Sequence, residues 1–140
     1  MSAENKAVVR RWFDAFNRGD LTAGAQCLDA GCVLHAPGAD VPGIEGWKQF
    51  AGMYRTAFPD CELHIEDILV DGDQVIVRFT ARGTHRGDLA GVAPTGRQVA
   101  VPCIMISRVV NQKIVESWEV FDQLGLFQTL GSFPPATATA

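Results

Sequence analysis

The chain has 140 residues, enough for one domain with a substantial core and short for two. With 47% apolar and 20% charged residues it has the composition of a folded globular protein, not of a disordered one. Its formal net charge of −4 disfavours a nucleic acid or an anionic membrane as partner, because basic faces bind both. The sequence contains no signal-peptide pattern and no apolar run of membrane-spanning length, so we expect a cytoplasmic protein.

The N-terminal segment predicts two helices in close succession. Ser2 can cap the first helix, through which an apolar stripe recurs at helical spacing. The stripe consists of Val8, Val9, Trp12, Phe13 and Phe16. Gly19 is a favourable C-terminal stop, and Asp20 can cap a second, short helix at once. Because their junction is tight, the two helices should be neighbours.

A strand, a loop and a third helix follow. Residues 32–35 predict a short strand, and the Pro and Gly content of residues 36–43 predicts a loop. The third helix ends before Pro59, since the residue preceding a proline disfavours helical geometry. Its apolar side consists of Ile44, Trp47, Phe50, Ala51, Tyr54 and Phe58.

The second half of the chain predicts an antiparallel sheet. Its four strands are predicted over residues 62–70, 74–82, 99–110 and 114–122. Short turns join them in pairs, which favours antiparallel neighbours. A short helix stopped by Gly131 completes a single domain over residues 1–131, and residues 132–140 predict a disordered tail. This order predicts an α+β fold, with helices on one face of a curved sheet and an apolar cavity between the layers.

The last strand carries a carboxylate in apolar company. By alternation, Asp122 shares a strand face with Trp118 and Val120. If this face lines the cavity, the apolar neighbours raise the pKa of Asp122 and make it a general acid–base residue. If Asp122 instead pairs with Arg78 or Arg108 inside the core, a non-catalytic ligand binder or structural module is favoured. Arg78 could also form a structural ion pair with Glu116 or Asp67.

Several side chains could assist Asp122 in the cavity. His35 ends the early strand, and His85 opens a long Gly-rich connection over residues 83–97. Connections of this length inside a compact domain are usually functional, and this one could form the rim of the cavity. Either histidine, or Tyr54, could polarise the oxygen of a forming enolate. The aromatic residues expected to bind an apolar substrate are Trp118, Tyr54, Trp47, Phe50 and Phe16.

No motif for a metal, a nucleotide or a nucleophilic triad is found in the sequence. The three histidines are far apart and not at metal-ligand spacing. The four cysteines form no CxxC pair, which favours reduced thiols over disulfides or a metal site. We therefore expect neither metal nor cofactor, and chemistry limited to proton transfer.

Several short motifs together resemble one known family. The chain resembles the SnoaL-like polyketide cyclases, also called ester cyclases, of the NTF2-like superfamily, over roughly residues 5–131. The motifs are Ala57-Phe-Pro-Asp60, Asp71-Gly-Asp73, Gly83-Thr-His85 with Pro94-Thr-Gly-Arg97, and Glu116-x-Trp118-x-x-x-Asp122 followed by Leu-Gly-Leu. The N-terminal segment from Phe13 to Asp20 also fits the superfamily.

The resemblance implies a cone-shaped α+β barrel with an internal pocket, commonly a homodimer through the sheet. It implies ring closure of an aromatic-polyketide ester by intramolecular aldol condensation, without cofactor or metal. Asp122 matches the late pocket aspartate that acts as acid and base, whereas Ser117 stands where many relatives have histidine. Because the fold hosts several functions, a steroid-isomerase-like or epoxide-hydrolase-like enzyme and a plain binder of a small apolar molecule are alternatives.

Overall fold

The structure, a computed structural model, describes residues 2–132. Its elements are α1 (Ser2–Asn17), α2 (Leu21–Ala25), β1 (Leu28–Ala36), β2 (Ala39–Pro42), α3 (Gly43–Ala57), β3 (Glu62–Asp71), β4 (Gln74–Thr84), β5 (Gln98–Val110), β6 (Lys113–Phe121) and α4 (Gln123–Thr129). The predicted α+β class is confirmed. Apart from Ser132, the predicted disordered tail lies outside the described residues. None of the described helices is long and apolar enough to cross a membrane.

The six strands form one sheet in the order β2-β1-β6-β5-β4-β3. Neighbours pair antiparallel except β1 and β6, which run parallel. The four strands predicted in the second half lie within two residues of their observed bounds. Asn111 and Gln112 both have positive φ, +51° and +62°, so the predicted tight turn between β5 and β6 is of the type that matches strand twist.

The helices pack on one side of this sheet. All five apolar residues of the predicted stripe on α1 are buried. Phe13 meets Phe79 of β4 edge-on, with ring centroids 5.0 Å apart. The Asp20 side chain accepts a hydrogen bond from the Ala23 backbone N–H at 2.9 Å, which confirms the predicted cap of α2. A helical layer over a mostly antiparallel sheet is therefore established.

The prediction of an irregular loop over residues 36–43 is wrong. Ala39–Pro42 forms strand β2, which pairs with β1 and leads directly into α3. Pro42 ends this short edge strand, where a missing backbone N–H costs no ladder hydrogen bond. Gly38, with φ +80°, makes the turn between the two strands. Proline and glycine therefore mark the ends of an edge strand here, not an irregular loop.

A β-bulge in β6 decides which side chains face inward. The register pairs Arg108 with Glu116 and Val109 with Ile114, so Val115 is an extra residue. Because of this insertion the strand alternation changes phase. Ile114 is buried, and from there the inward residues are Ser117, Glu119 and Phe121.

Candidate functional site

A cavity of about 120 Å³ lies between the helical layer and the inward face of the sheet. Its walls come from α1, α3 and all six strands, with one residue each from β2, β3 and α4 and two from the connection between α3 and β3. The lining is largely aromatic and aliphatic, and its aromatic members are Trp12, Phe16, Trp47, Phe50, Tyr54, Phe58, Phe79 and Phe121. Among the described residues, Glu119 is the single carboxylate in the lining. An apolar wall with few polar groups is typical of a small-molecule site.

Glu119 has the strongest electrostatic perturbation of the carboxylates that line or border this cavity. Residue 119 as a whole keeps some accessible surface, but its carboxyl group is deeply enclosed. This burial alone raises the pKa of Glu119 to about 7, since no neighbouring charge or hydrogen bond contributes. At neutral pH the group can therefore both accept and donate a proton.

Tyr54 and Cys103 lie within the electrostatic reach of Glu119. Burial, and secondarily the Glu119 charge, raises the pKa of Tyr54 to about 12 and that of Cys103 to about 12. The phenol and the thiol are therefore neutral at physiological pH, which makes Tyr54 a hydrogen-bond donor and Cys103 a poor nucleophile. The Tyr54 ring packs against Phe50 and Phe121, with centroids 5.2 Å and 6.1 Å away.

Ser117 occupies the inward position next to Glu119 on β6. Its Oγ lies 2.9 Å from the Oγ of Ser107 on the neighbouring strand, and both residues are buried. The two hydroxyl groups satisfy one another inside an apolar layer. Without a base beside it, Ser117 has no activated oxygen and acts as a packing residue of the cavity wall.

Comparison with known proteins now identifies the family. The model of the family described as "SnoaL-like polyketide cyclase" matches residues 6–130. The chain belongs to this family. The curated protein DnrD of Streptomyces peucetius, an aklanonic acid methyl ester cyclase, is 30% identical over 131 residues, which cover 89% of this chain and 88% of DnrD.

Solved structures of the family share the fold. AclR of Streptomyces galilaeus, a proposed hydroxylase, is 30% identical with a TM-score of 0.88, covering 97% of this chain and 86% of AclR. IdmH of Streptomyces antibioticus, a proposed polyketide cyclase, is 34% identical with a TM-score of 0.80, covering 91% of this chain and 98% of IdmH. Structural neighbours of this SnoaL-like chain thus carry two different reaction names.

The cavity brings together half of the residues predicted for the site. Phe16 of α1 and Trp47, Phe50 and Tyr54 of α3 line it. Four further candidates lie outside the lining: Asp122, His35, His85 and Trp118. These four residues occupy three separate places in the fold, because His35 and Trp118 lie together.

Asp122 does not face the cavity, which corrects the predicted placement. The residue is exposed and caps α4, where its side chain accepts a hydrogen bond from the Gly125 backbone N–H at 2.9 Å. It forms no core ion pair either, because Arg78 pairs with Asp67 at 2.6 Å and Arg108 contacts a different carboxylate. The phase change at the β6 bulge turns the strand face that leads to Asp122 outward. Asp122 instead lines a separate, more polar surface pocket with Gly125 and Thr129, and its catalytic role stays a prediction.

His35 and Trp118 lie together on the outer face of the sheet. The two ring nitrogens of His35 are each 2.7 Å from a carboxylate oxygen, of Asp40 and of Glu116. These hydrogen bonds, that of Asp40 first, raise the pKa of His35. The imidazole stacks on Trp118 at 5.6 Å between centroids, and Trp118 is 37% exposed. Neither residue can reach Glu119 across the sheet.

His85 is fully buried at the base of the long connection. Its Nδ1 accepts a hydrogen bond from the Thr95 backbone N–H at 3.2 Å, and its ring lies 5.5 Å from that of Phe58. The backbone of Arg86 donates to the Ala57 carbonyl at the end of α3. These contacts fasten the connection to the fold, and none of its described residues between 83 and 97 lines the cavity. The predicted rim is therefore absent, and His85 positions a loop.

The lining also bears on the epoxide-hydrolase-like alternative. That chemistry needs a carboxylate–arginine–carboxylate set, and the described lining holds Glu119 and the exposed Arg82 without a second carboxylate. Strand alternation places Glu119 on one face of β6 with Ser117 and Phe121, and this face lines the cavity. The site had been predicted on the opposite face, which carries Trp118 and Val120. The signal that could have found it is the same as for Asp122: a carboxylate between apolar neighbours.

Proposed function

We propose that this protein is a cofactor-independent enzyme of the cyclase type, with Glu119 as its general acid and base. A single observation carries the proposal: the one carboxylate that the described residues contribute to the cavity lining has its pKa raised by burial to about 7. A group of this pKa is matched to proton transfer at neutral pH. The ester cyclase names of the curated relatives support the ring-closing version of that chemistry.

The proposed reaction balances without a further reactant. The Glu119 carboxylate removes a proton from the carbon next to a carbonyl group, and an enolate forms. The enolate carbon attacks a second carbonyl carbon of the same molecule, which forms the new carbon–carbon bond and an alkoxide. Protonated Glu119 returns the proton to the alkoxide oxygen, so the product is an isomer of the substrate.

Tyr54 supplies the hydrogen bond to the enolate oxygen in this proposal. Its phenol is neutral, lies near Glu119 in electrostatic terms, and donates no hydrogen bond within the described residues. A donor held in an apolar cavity stabilises a developing oxyanion more than it would in water. His35 and His85, the other predicted electrophilic groups, lie outside the cavity lining: both ring nitrogens of His35 are hydrogen-bonded on the outer face, and the Nδ1 of His85 is hydrogen-bonded to Thr95.

The test compares Glu119→Gln with the wild-type protein. The substrate is a seven-carbon diketone whose two carbonyl groups can close a six-membered ring, and nuclear magnetic resonance follows both ring closure and exchange of the α-protons in D₂O. We expect the variant to lose about 10²-fold or more of the rate, the range for removal of an acid–base group. Asp122→Asn is the matched carboxylate-to-amide control and should retain the rate. Equal rates for Glu119→Gln and wild type would refute the assignment.

A second candidate reaction is hydroxylation, favoured by the similarity to AclR. The two reactions differ in the product composition, because aldol ring closure leaves the molecular formula unchanged, while hydroxylation adds one oxygen atom that dioxygen and a two-electron reductant would have to supply. Mass spectrometry of the product therefore distinguishes them directly.

We also propose that the protein forms a homodimer through the outer face of the sheet. Ile104 and Trp118 are 45% and 37% exposed there, and Val120, opposite Ile104 in the register, is 63% exposed. With the partly buried Ile106 opposite Trp118 they form a continuous apolar patch on β5 and β6. A contiguous apolar patch on a sheet face is typical of a protein contact, and a two-fold axis through it would let the patch meet itself.

A further inference from the structure

We propose that His35 is a pH-sensitive clasp: as an imidazolium it ties β2 and the start of α3 to the rest of the sheet, and it releases them when it loses that charge. The site lies on the outer face of the sheet, so the inference goes beyond the proposed function and does not depend on the role of Glu119. Three observations carry it: the contacts of both ring nitrogens, the position of β2 at the sheet edge, and the way in which α3 begins.

The geometry around His35 fits the charged form of the ring. Its Nδ1 lies 2.7 Å from an Asp40 oxygen, and its Nε2 lies 2.7 Å from a Glu116 oxygen. An ionised carboxylate accepts hydrogen bonds and donates none, so both contacts are hydrogen bonds only when both ring nitrogens carry protons. The neutral ring has one N–H group, and its second nitrogen would present a lone pair to a carboxylate oxygen. Loss of one proton therefore breaks one of the two contacts.

Asp40 is the partner that deprotonation releases. Its side chain is 72% exposed, against 29% for that of Glu116, so water replaces the lost hydrogen bond more readily at Asp40. Glu116 is also held from β5, where the Arg108 guanidinium lies 3.6 Å from its second oxygen. The neutral ring therefore keeps its proton on Nε2, toward Glu116, and the tether to β2 is lost.

Three elements make the main contacts with β1: β2, β6 and α3. β2 and β6 present Asp40 and Glu116 to His35, and β6 also presents the Trp118 ring, on which the imidazole stacks. α3 packs on the inward face of β1, and the charged side chains of its first turns, Glu45 and Lys48, lie 3.9 Å from one another. The contacts of the His35 ring thus lie on the outer face, away from the charges of α3.

The sign of the pH dependence follows from the two hydrogen bonds. That of Asp40 first, and then that of Glu116, raises the pKa of His35 above its ordinary 6.5. A raised pKa in the folded state means that the contribution of the clasp is complete below pH 6.5 and is lost as the pH rises through the raised value. The clasp therefore opens at alkaline pH.

Apart from the clasp, few contacts hold β2 and the start of α3. β2 has four residues, lies at the edge, and in the described sheet pairs with β1 alone. Pro42 is both its last residue and the N-cap of α3, so this position has no backbone N–H for the ladder and no side-chain oxygen for the first turn of the helix. A segment with so few fixed hydrogen bonds is the part of a fold that opens locally.

The segment that the clasp holds also forms part of the cavity wall. Val41 of β2 and Trp47 of α3 line the cavity. A Cβ atom on Gly46 would lie 3.3 Å from the Val41 side chain, so the first turn of α3 packs closely on β2. Release of β2 therefore loosens this part of the wall, although His35 itself lies on the other face of the sheet.

Hydrogen exchange followed by nuclear magnetic resonance at pH 6 and pH 9 tests the clasp. The measured quantity is the protection factor of the β2 backbone N–H groups that bond to β1, because it corrects for the intrinsic pH dependence of amide exchange. We expect protection to fall by about twofold to fivefold from pH 6 to pH 9, the range for an exposed ion pair. Protection of β2 that does not change between the two pH values would overturn the inference.

Two variants of the clasp should remove the pH dependence in opposite ways. His35→Gln cannot donate to both carboxylates, so β2 should show the lower protection at both pH values. Asp40→Asn should show the higher protection at both, because its amide oxygen accepts from the imidazolium and its amide N–H donates to the neutral ring. Persistent pH dependence in His35→Gln, or low protection in Asp40→Asn, would contradict the clasp.

His64→Gln is the matched histidine control. His64 lies on β3 at the opposite edge of the sheet, 3.5 Å from a Glu66 oxygen, and its side chain is 61% exposed. Its replacement should leave the protection of β2 unchanged at both pH values. A fall equal to that in His35→Gln would show that the effect is not specific to the clasp.

The outcome is separable from that of the proposed function. Glu119 also titrates between pH 6 and pH 9, so the exchange measurement is repeated with Glu119→Gln. The pH dependence of β2 should persist in that variant, whatever its activity. If it disappears there, the titrating group is Glu119 and the inference about His35 is wrong.

Discussion

Glu119 is a carboxylate whose charge is poorly solvated by water, and no cation of residues 2–132 compensates for that loss. The absence of a compensating partner shifts its pKa upward, while Asp60, held by two hydrogen bonds from Thr84, has its pKa lowered. The two acids show that local hydrogen bonding and burial, not residue type, decide which carboxylate can exchange protons at neutral pH. Acid–base chemistry in this cavity therefore has a cost in stability.

That cost predicts a pH dependence of folding. As pH rises, the unfolded chain loses the Glu119 proton near 4.5 and the folded chain only near 7. The unfolded state is thus favoured across this window, and the folded protein loses about 3 kcal/mol between the two pKa values. Glu119→Gln should abolish this loss and be the more stable protein at pH 8.

Urea unfolding at pH 5 and pH 8 measures the effect in both proteins. Other groups titrate in the same range, so the informative quantity is the difference between variant and wild type at each pH. If that difference is the same at both pH values, the carboxyl group is not buried in the folded protein.

The end of β6 and the start of α4 explain why Asp122 is conformationally important without lining the cavity. Gly125 carries no Cβ, and one placed there would lie 2.1 Å from an Asp122 carboxylate oxygen. The absence of a side chain at Gly125 thus lets the carboxylate fold back over the first turn of the helix. The Asp-x-x-Gly spacing in this segment is therefore a capping arrangement.

The cap predicts a specific pattern of stability. Asp122→Ala should destabilise the protein by about 1 kcal/mol, the usual loss for a helix N-cap, whereas Asp122→Asn should retain most of the stability. Urea unfolding at pH 7 measures both. Activity on the diketone should survive both substitutions after correction for the folded fraction. Inactivity of well-folded Asp122→Asn would instead restore Asp122 as a catalytic residue.

The outer face of the sheet gives the whole molecule a second apolar surface besides the cavity. The proposed dimer predicts that a charge at its centre dissociates it, because an unpaired charge buried in an apolar contact is costly. Val120→Lys should therefore convert a dimer to a monomer in light scattering coupled to size-exclusion chromatography.

Leu69→Lys is the matched control for the dimer. Leu69 is 62% exposed, almost the same as Val120, but lies on β3 at the opposite edge of the sheet from β2. It should leave the mass of the particle unchanged. A wild-type protein that is monomeric at high concentration would contradict the dimer altogether.

Local patterns in the sequence determined much of this fold. The apolar stripe of α1, the cap at Asp20, the four long strands and the turn at Asn111 and Gln112 all follow from spacing and turn chemistry, which depend on neighbours in the chain. The aromatic side of α3 likewise predicted Trp47, Phe50 and Tyr54 as cavity residues. The order of these elements extended the prediction to the α+β architecture.

The tertiary structure alone decided which carboxylate enters the cavity. Strand alternation is a rule of period two, so one extra residue at Val115 exchanges the inner and outer faces for the rest of β6. The sequence does not reveal that bulge, because it arises from pairing with β5. The contact between His35 and Glu116 was hidden for a related reason: the two residues are 81 positions apart, and only folding brings them within hydrogen-bonding distance.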